Sequence, residues 1–240
     1  IAQRDGSGIR EHMRNVDVVF GTRAIASLPD LIVDALNGSK KNVFADTSED
    51  DPGFSSDLPS RREDVWHAWV PIMTGCNNFC SYCIVPYVRG RERDRAFESI
   101  VDEVRTLHED GVREVCLLGQ NVNSFGRQRY GSPRFAELLR AVGETGIERI
   151  RFTSSHPKDL SDETIAAMAE TPAVMPQLHL AVQSGSTRVL KAMNRHYTRE
   201  DYLALADRIK QANPGIALST DIIVGFPGET EEDFEQTLSL

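Results

Sequence analysis

The sequence predicts an α/β protein in two parts: the end of a small α/β domain, then an open, partial parallel barrel. Three observations predict it. From residue 64 onward, apolar and β-branched runs alternate with amphipathic helical segments, the pattern of parallel strands joined by right-handed crossovers. At roughly 30 or more residues per βα unit, residues 65–240 make about five units, too few to close an eightfold barrel. A stretch rich in acidic, Ser, Pro and Gly residues, FADTSEDDPGFSSDLPSRRED, separates this part from what precedes it and has the composition of a linker.

The elements follow in order. VDVVF (16–20) reads as a short buried strand, and SLPDLIVDAL (27–36) has helical apolar spacing ended by Asn37-Gly38. Residues 1–45 are therefore expected to end an α/β domain, 46–63 to link, and 64–240 to form the core. Within that core the strands are VWHAWVPIM (65–73), VREVCLLG (112–119), IERIRFTSS (147–155), PQLHLAVQS (176–184) and GIALSTDIIVG (215–225). Between and after them, SIVDEVRTLHED, RFAELLRAVGE, SDETIAAMAE, TREDYLALADRIKQ and EEDFEQTLSL carry helical periodicity. In a parallel barrel the C-terminal strand ends share one face, where such enzymes keep their chemistry. That face should gather the loop after the first strand, GQNVNS (119–124), SSHP (154–157), QSGS (183–186) and GFPGET (225–230).

A hydrophobic content of 40% with 26% charged residues is ordinary for a globular protein. IAQRDGSGIREHM has no apolar signal-peptide core, and no apolar run approaches the roughly 20 residues of a membrane-spanning helix. The expectation is a cytosolic protein without a membrane partner. A net charge of -9 argues against a general positive field for nucleic acid, though not against a local basic patch. Such a patch is present in VRGRERDR, where Arg89, Arg91, Arg93 and Arg95 alternate with Glu92 and Asp94.

Three of the four cysteines, Cys76, Cys80 and Cys83, lie in the loop after the first strand. In a reducing compartment a tight thiol cluster points to metal binding or catalysis rather than a disulfide. An iron–sulfur cubane takes one thiolate per iron, so three thiolates leave the fourth iron open. Tetrahedral zinc is the alternative, with His67 as a conceivable fourth ligand, although a histidine inside a strand is more often a hydrogen-bonded core residue. Cys116 sits among apolar strand residues and reads as a small buried hydrophobe.

The C-x3-C-x2-C spacing, with Tyr82 before the last cysteine, resembles the radical S-adenosylmethionine (SAM) enzyme superfamily. Further motifs tighten the resemblance: VPIMTGCNNFCSYCIVPYVRGRERDR, LLGQNVNSFG, RFTSSHP, HLAVQSGSTRVLKAMNRHYTREDY and STDIIVGFPGETEEDFE. In that order they are similar to the tRNA methylthiotransferases of the MiaB type, and residues 1–38 resemble the end of that family's N-terminal domain. The fold implied is a partial TIM-like radical SAM barrel.

The resemblance implies that Cys76, Cys80 and Cys83 ligate a 4Fe–4S cluster whose open iron binds SAM. Gly119, Gln120 and Asn121 would hold the SAM methionine, Gln183 would face SAM or substrate, and Gly225 would lie near the adenine. Each has a plainer reading as a turn or cap residue: Ser184 and Ser186 before the helix starting near Thr187, and Thr230 before three acidic residues. His156 is a candidate substrate contact, and no catalytic side chain is assigned. The family's second cluster takes its cysteines from the N-terminal domain, the last in a G-C-x-A-Q stretch. Ile1-Ala2-Gln3 aligns just past it, so the expectation is a piece of a longer protein that also carries that cluster and a TRAM domain. The activity implied is methylthiolation of isopentenylated adenosine beside the anticodon. Its partners would be the tRNA anticodon stem-loop and an electron donor such as flavodoxin or ferredoxin, acting on a monomer. The alternatives are a sister enzyme acting on threonylcarbamoyl-adenosine or on a ribosomal protein, which LGQNVNS and AVQSGS fit less well although Ala181 stands where the family usually has Pro, or a zinc-stabilised, non-catalytic RNA-binding module.

Overall fold

The structure is a computed structural model that describes residues 2–13, 15–38, 43–44, 62 and 64–240. The expected linker lies outside the described residues apart from Arg62. The chain divides into two compact units, residues 1–61 with 87–89, and residues 62–86 with 90–240.

In the first unit α1 (Ala2–His12) is kinked at Asp5, and β1 (Val19–Phe20) precedes α2 (Leu28–Leu36). Pro29 stands in the first turn of α2, where its missing N–H costs nothing. β2 (Val43–Phe44) runs parallel to β1, the strand-helix-strand order of an α/β unit.

The second unit opens with β3 (His67–Pro71) and β4 (Met73–Thr74), a break at Ile72 inside what reads as one strand. After α3 (Val85–Arg89), β5 (Arg93–Asp94) pairs antiparallel with β4, so a short ribbon brackets the cysteine loop. The repeating units then follow: α4 (Phe97–Glu109), β6 (Glu114–Leu118), α5 (Arg127–Tyr130), α6 (Phe135–Gly143), β7 (Arg149–Phe152), α7 (Asp162–Glu170), β8 (Gln177–His179), α8 (Thr187–Ala192), α9 (Arg199–Ala212), β9 (Ala217–Ser219) and α10 (Glu231–Leu238).

β3, β6 and β7 form one parallel sheet, with His67 opposite Glu114 and Glu114 opposite Arg149. Parallel bridges Ile150–Val174 and Ser155–Leu180 carry it to the β8–β9 pair, which the bridge Gln183–Ile222 extends. Five parallel strands in chain order thus make an open, partial barrel, as periodicity and length predict. Helices cover its outer face through stripes at helical spacing: Ile100, Val104 and Leu107 on α4, Leu138, Leu139 and Val142 on α6, Tyr202, Leu205 and Ile209 on α9. Each fully buried aliphatic side chain contributes about 1.5–3 kcal/mol. At the N-terminal strand ends a depression of ≈ 620 Å³, lined by Arg140, Glu144, Glu148 and Glu170 among others, lies at the end opposite the cysteine loop.

Candidate active site at the C-terminal strand ends

The cysteine loop is fixed by its own backbone. Gly75 has φ +78, and a Cβ there would lie 2.1 Å from the Arg91 carbonyl oxygen. No side chain fits. The Cys76 N–H donates to the Gly90 carbonyl (3.1 Å), and the Cys83 N–H closes a turn on the Cys80 carbonyl (2.9 Å). Gln120, at the end of β6, accepts the Gly75 N–H on Oε1 at 2.6 Å. Its side chain therefore ties the second strand's end to the cysteine loop, a link that reading it as a ligand contact did not anticipate.

Cys76 lies within electrostatic reach of the other two thiols. Burial pushes the Cys76 thiol up to about 11; the Asn78 N–H opposes this, while Glu92, Cys80 and Cys83 add to it. Cys80 is buried, whereas Cys76 and Cys83 are half-buried. Among the described residues, no three His, Cys, Asp or Glu side chains converge closely enough to hold one metal ion. A tetrahedral zinc needs its ligands on a single point; a cubane gives each thiolate its own iron. Three thiols on one short loop, with the Asn78 N–H toward Cys76 and the Arg195 guanidinium toward Cys80, match in number the thiolates of a cubane that keeps one iron open. His67 lies at the start of β3, the end away from this loop, with Nε2 3.9 Å from Glu114. Cys116 is buried in β6, its thiol pushed up to about 11 by burial.

Beneath the loop lies a buried polar layer centred on Asp159, which sequence reasoning missed. Asp159 accepts from Asn78 Nδ2 (3.3 Å), Asn121 Nδ2 (2.8 Å) and Lys158 Nζ (2.9 Å). Burial opposes its charge, but Lys158, through hydrogen bond and charge, and Asn121 hold the carboxyl below its ordinary value. Asn121 is 1% exposed, with Oδ1 unpartnered, and Asn123 Oδ1 accepts the His156 N–H. Gly119 is pressed against Met73, whose Cγ would stand 2.5 Å from a Cβ.

His156 faces the loop. Its Nδ1 accepts the Lys158 N–H (3.2 Å), which leaves the proton on Nε2, 4.0 Å from Cys80 Sγ. Burial first, then the charge of Arg195, push its pKa down to about 3, so the ring is neutral near pH 7. From the α8–α9 connection, Asn194 Nδ2 donates to the carbonyls of Asn78 (3.2 Å) and Phe79 (2.9 Å), and Arg195 reaches Cys80.

Gln183 and Gly225 stand apart from this network. Gln183, at φ 72, exchanges backbone hydrogen bonds with Asp221 and Ile223 beyond β9. Gly225, exposed at φ +74, gives its N–H to Glu229 Oε2 (2.6 Å); a Cβ there meets nothing within 4 Å. Among the described residues no hydrogen bond joins either one to the cysteine loop. Ser186 caps α8 and Thr230 caps α10, as their positions before those helices suggest.

The arginine run needs correction. Read as a surface patch, it instead alternates in and out through β5. Arg95 is 6% exposed and donates to Glu103, the Pro71 carbonyl and Ser99. Glu92 and Asp94 are buried acceptors, Glu92 from the Asn77 N–H and Asp94 from those of Gln128 and Arg129. Arg91 remains exposed, its guanidinium 4.6 Å from the Phe79 ring centre. The patch is thus narrower than four arginines: pairing in the ribbon turns Glu92 and Asp94 inward, and Arg95, just past β5, is buried through its bonds to Glu103, Ser99 and the Pro71 carbonyl.

Comparison with known proteins places these features. The description of the Radical SAM superfamily matches residues 70–240. Proteins named tRNA-2-methylthio-N(6)-dimethylallyladenosine synthase are 52% identical over 97% of this chain in Acetivibrio thermocellus and 54% identical over all of it in Acidothermus cellulolyticus. In each case the match covers 48% of the relative, so the chain spans about half the length of the curated relatives it matches. Two solved structures share the fold. The radical S-adenosylmethionine methyltransferase TsrM from Kitasatospora setae aligns with TM-score 0.59 at 19% identity, over 72% of this chain and 33% of that one. Methylornithine synthase (PylB) aligns with TM-score 0.50 at 22% identity, over 72% and 49% respectively.

Proposed function

Because the chain belongs to the radical SAM superfamily, we propose that Cys76, Cys80 and Cys83 hold a 4Fe–4S cluster with S-adenosylmethionine at its open iron. The reaction served is methylthiolation of isopentenylated adenosine beside the anticodon of tRNA. The observation that carries this reading is the cysteine loop itself: three thiols on one short loop at the C-terminal edge of the first strand of a partial barrel, in a chain 52–54% identical to methylthio-adenosine synthases. When bound, the cluster supplies the electron that cleaves the sulfonium and so makes an unactivated adenine carbon reachable.

The chain's own residues hold, orient and exclude. The Asn78 N–H and the Arg195 guanidinium face the sulfurs of Cys76 and Cys80. Gln120 fixes Gly75 of the loop, and the Asp159 layer forms a buried polar floor beneath it. Gly119, Gln120 and Asn121 at the end of β6, with Gln183 and Gly225 at the far strands, would line the SAM site. Arg91 is an exposed cation beside the loop for a tRNA phosphate, a contact that fixes register rather than sequence. A second cluster in the full-length protein, a flavodoxin or ferredoxin as electron donor, a monomeric state and a cytosolic setting belong to this reading. No helix among the described residues is long and apolar enough to cross a membrane.

The test is mass spectrometry of tRNA from cells lacking the whole protein. The proposal predicts isopentenylated adenosine without its methylthio group, restored by the full-length gene but not by a Cys80→Ala form. Loss of the methylthio group from threonylcarbamoyl-adenosine or from a ribosomal protein instead would assign the chain to a sister enzyme.

A further inference from the structure

Arg195 is 4% exposed. Its Nη1 donates to Cys80 Sγ at 3.5 Å and to the Tyr82 hydroxyl at 3.3 Å, its Nη2 to the Ala181 carbonyl at 2.7 Å, and its Nε to the Tyr197 hydroxyl at 2.9 Å. The guanidinium also lies 5.3 Å from the Tyr197 ring centre. Among the described residues it forms no ion pair with a carboxylate, although the other buried arginine, Arg95, pairs with Glu103. Guanidinium cannot shed its proton, and a buried cation without an anion is costly. Of its four acceptors, only Cys80 can become an anion near neutral pH by binding metal, since ligation requires the thiolate.

We infer that Arg195 is the counter-ion of the cluster at Cys80, a positioning residue that holds this thiolate and raises the cluster's reduction potential. The inference rests on the cluster reading above. Reduction adds one electron from an external reductant and increases the cluster's negative charge. No bond or proton moves at Arg195. A fixed positive charge and an N–H donor on a ligand sulfur both favour the reduced form. His156 adds a second donor to the same sulfur from the C-terminal end of β7, its Nε2 proton fixed by the Lys158 N–H on Nδ1. Arg195 is flanked by two residues with left-handed backbone angles, Asn194 at φ 59 and His196 at φ 58, a conformation that Asn and His adopt more readily than most non-glycine residues. Asn194 at the same time clamps the Asn78 and Phe79 carbonyls, so one short segment holds both the loop and its charge.

The experiment is an EPR-monitored redox titration, with titanium(III) citrate, of the chain reconstituted anaerobically with iron and sulfide, comparing wild type, Arg195→Met and Arg195→Lys. Thermal unfolding is measured before and after loading. Arg195→Met is expected to lower the reduction equilibrium constant about tenfold, about 59 mV for a one-electron couple, and to gain less thermal stability on loading than wild type. Arg195→Lys, which keeps the charge, should shift it less. Equal potentials at equal iron and sulfide content overturn the inference, as does a loss of stability in Arg195→Met that is the same before and after loading. Should Arg195→Met not load, wild-type-like loading by Arg195→Lys supports the counter-ion and failure by both overturns it. Wild type that takes up no iron and sulfide sinks the cluster reading instead.

Discussion

At Gly75 the space is closed by backbone, which no rotamer change can relieve: the Arg91 carbonyl stands 2.1 Å from any Cβ, at a positive φ. Gly75→Ala is therefore expected to cost roughly 1–3 kcal/mol and to lower the iron bound per chain, read by denaturant unfolding and metal analysis. Cys116→Val has the opposite profile. The thiol is buried in β6 with no role at the loop, so a shape-conserving swap should cost less than about 1.5 kcal/mol and leave iron and sulfide content unchanged, whereas Cys80→Ala should abolish both. The cysteines were legible from spacing alone. Arg195 was not, because its partner Cys80 lies 115 residues earlier in sequence and only the fold brings them together. Asp159 was missed for a similar reason: in SSHPKD it looks like an ordinary turn acid, and its value comes from Asn78 and Asn121 on two other strand ends.

Among elements, α8 and α10 are joined through one carboxylate. Asp233 completes the capping box of α10, accepts from Ser186 Oγ at 2.6 Å and pairs with Arg188. Hydrogen bonds from Arg188, then Ser186 and the Thr230 N–H, hold its carboxyl well below the usual range. A folded pKa below the unfolded one, about 3.9, means stability that is present above that value and drains as pH falls through it. The melting temperature of wild type should therefore fall faster below about pH 4 than that of Asp233→Asn, and the gap between them should narrow with acid. A gap constant with pH would contradict this. Strand and helix positions were readable because periodicity and caps are local: Ser186 and Thr230 announce α8 and α10 by residue type. The β4–β5 ribbon was not, since two-residue strands carry no period. Its alternation buries Glu92 and Asp94 out of a run that looks solvent-facing, and Arg95 just beyond it is buried beside Glu103.

For the molecule as a whole, sheet order β3-β6-β7-β8-β9 follows chain order, so consecutive strand ends lie side by side and five loops meet on one rim. That topology brings the ends of strands scattered over residues 70–240 to one rim. It also explains why the polar segments nearest the cysteine loop, 119–124 and 154–159, mainly support it, while Gln183 and Gly225 sit on the further strands. The most direct test of the account is metal and sulfide analysis of the anaerobically reconstituted 240-residue chain, with EPR before and after adding S-adenosylmethionine. The account predicts about four irons and four sulfides per chain, as one cubane requires, and a signal that S-adenosylmethionine perturbs. Zinc without sulfide, or a cluster retained after Cys76, Cys80 and Cys83 are all replaced by alanine, would contradict it.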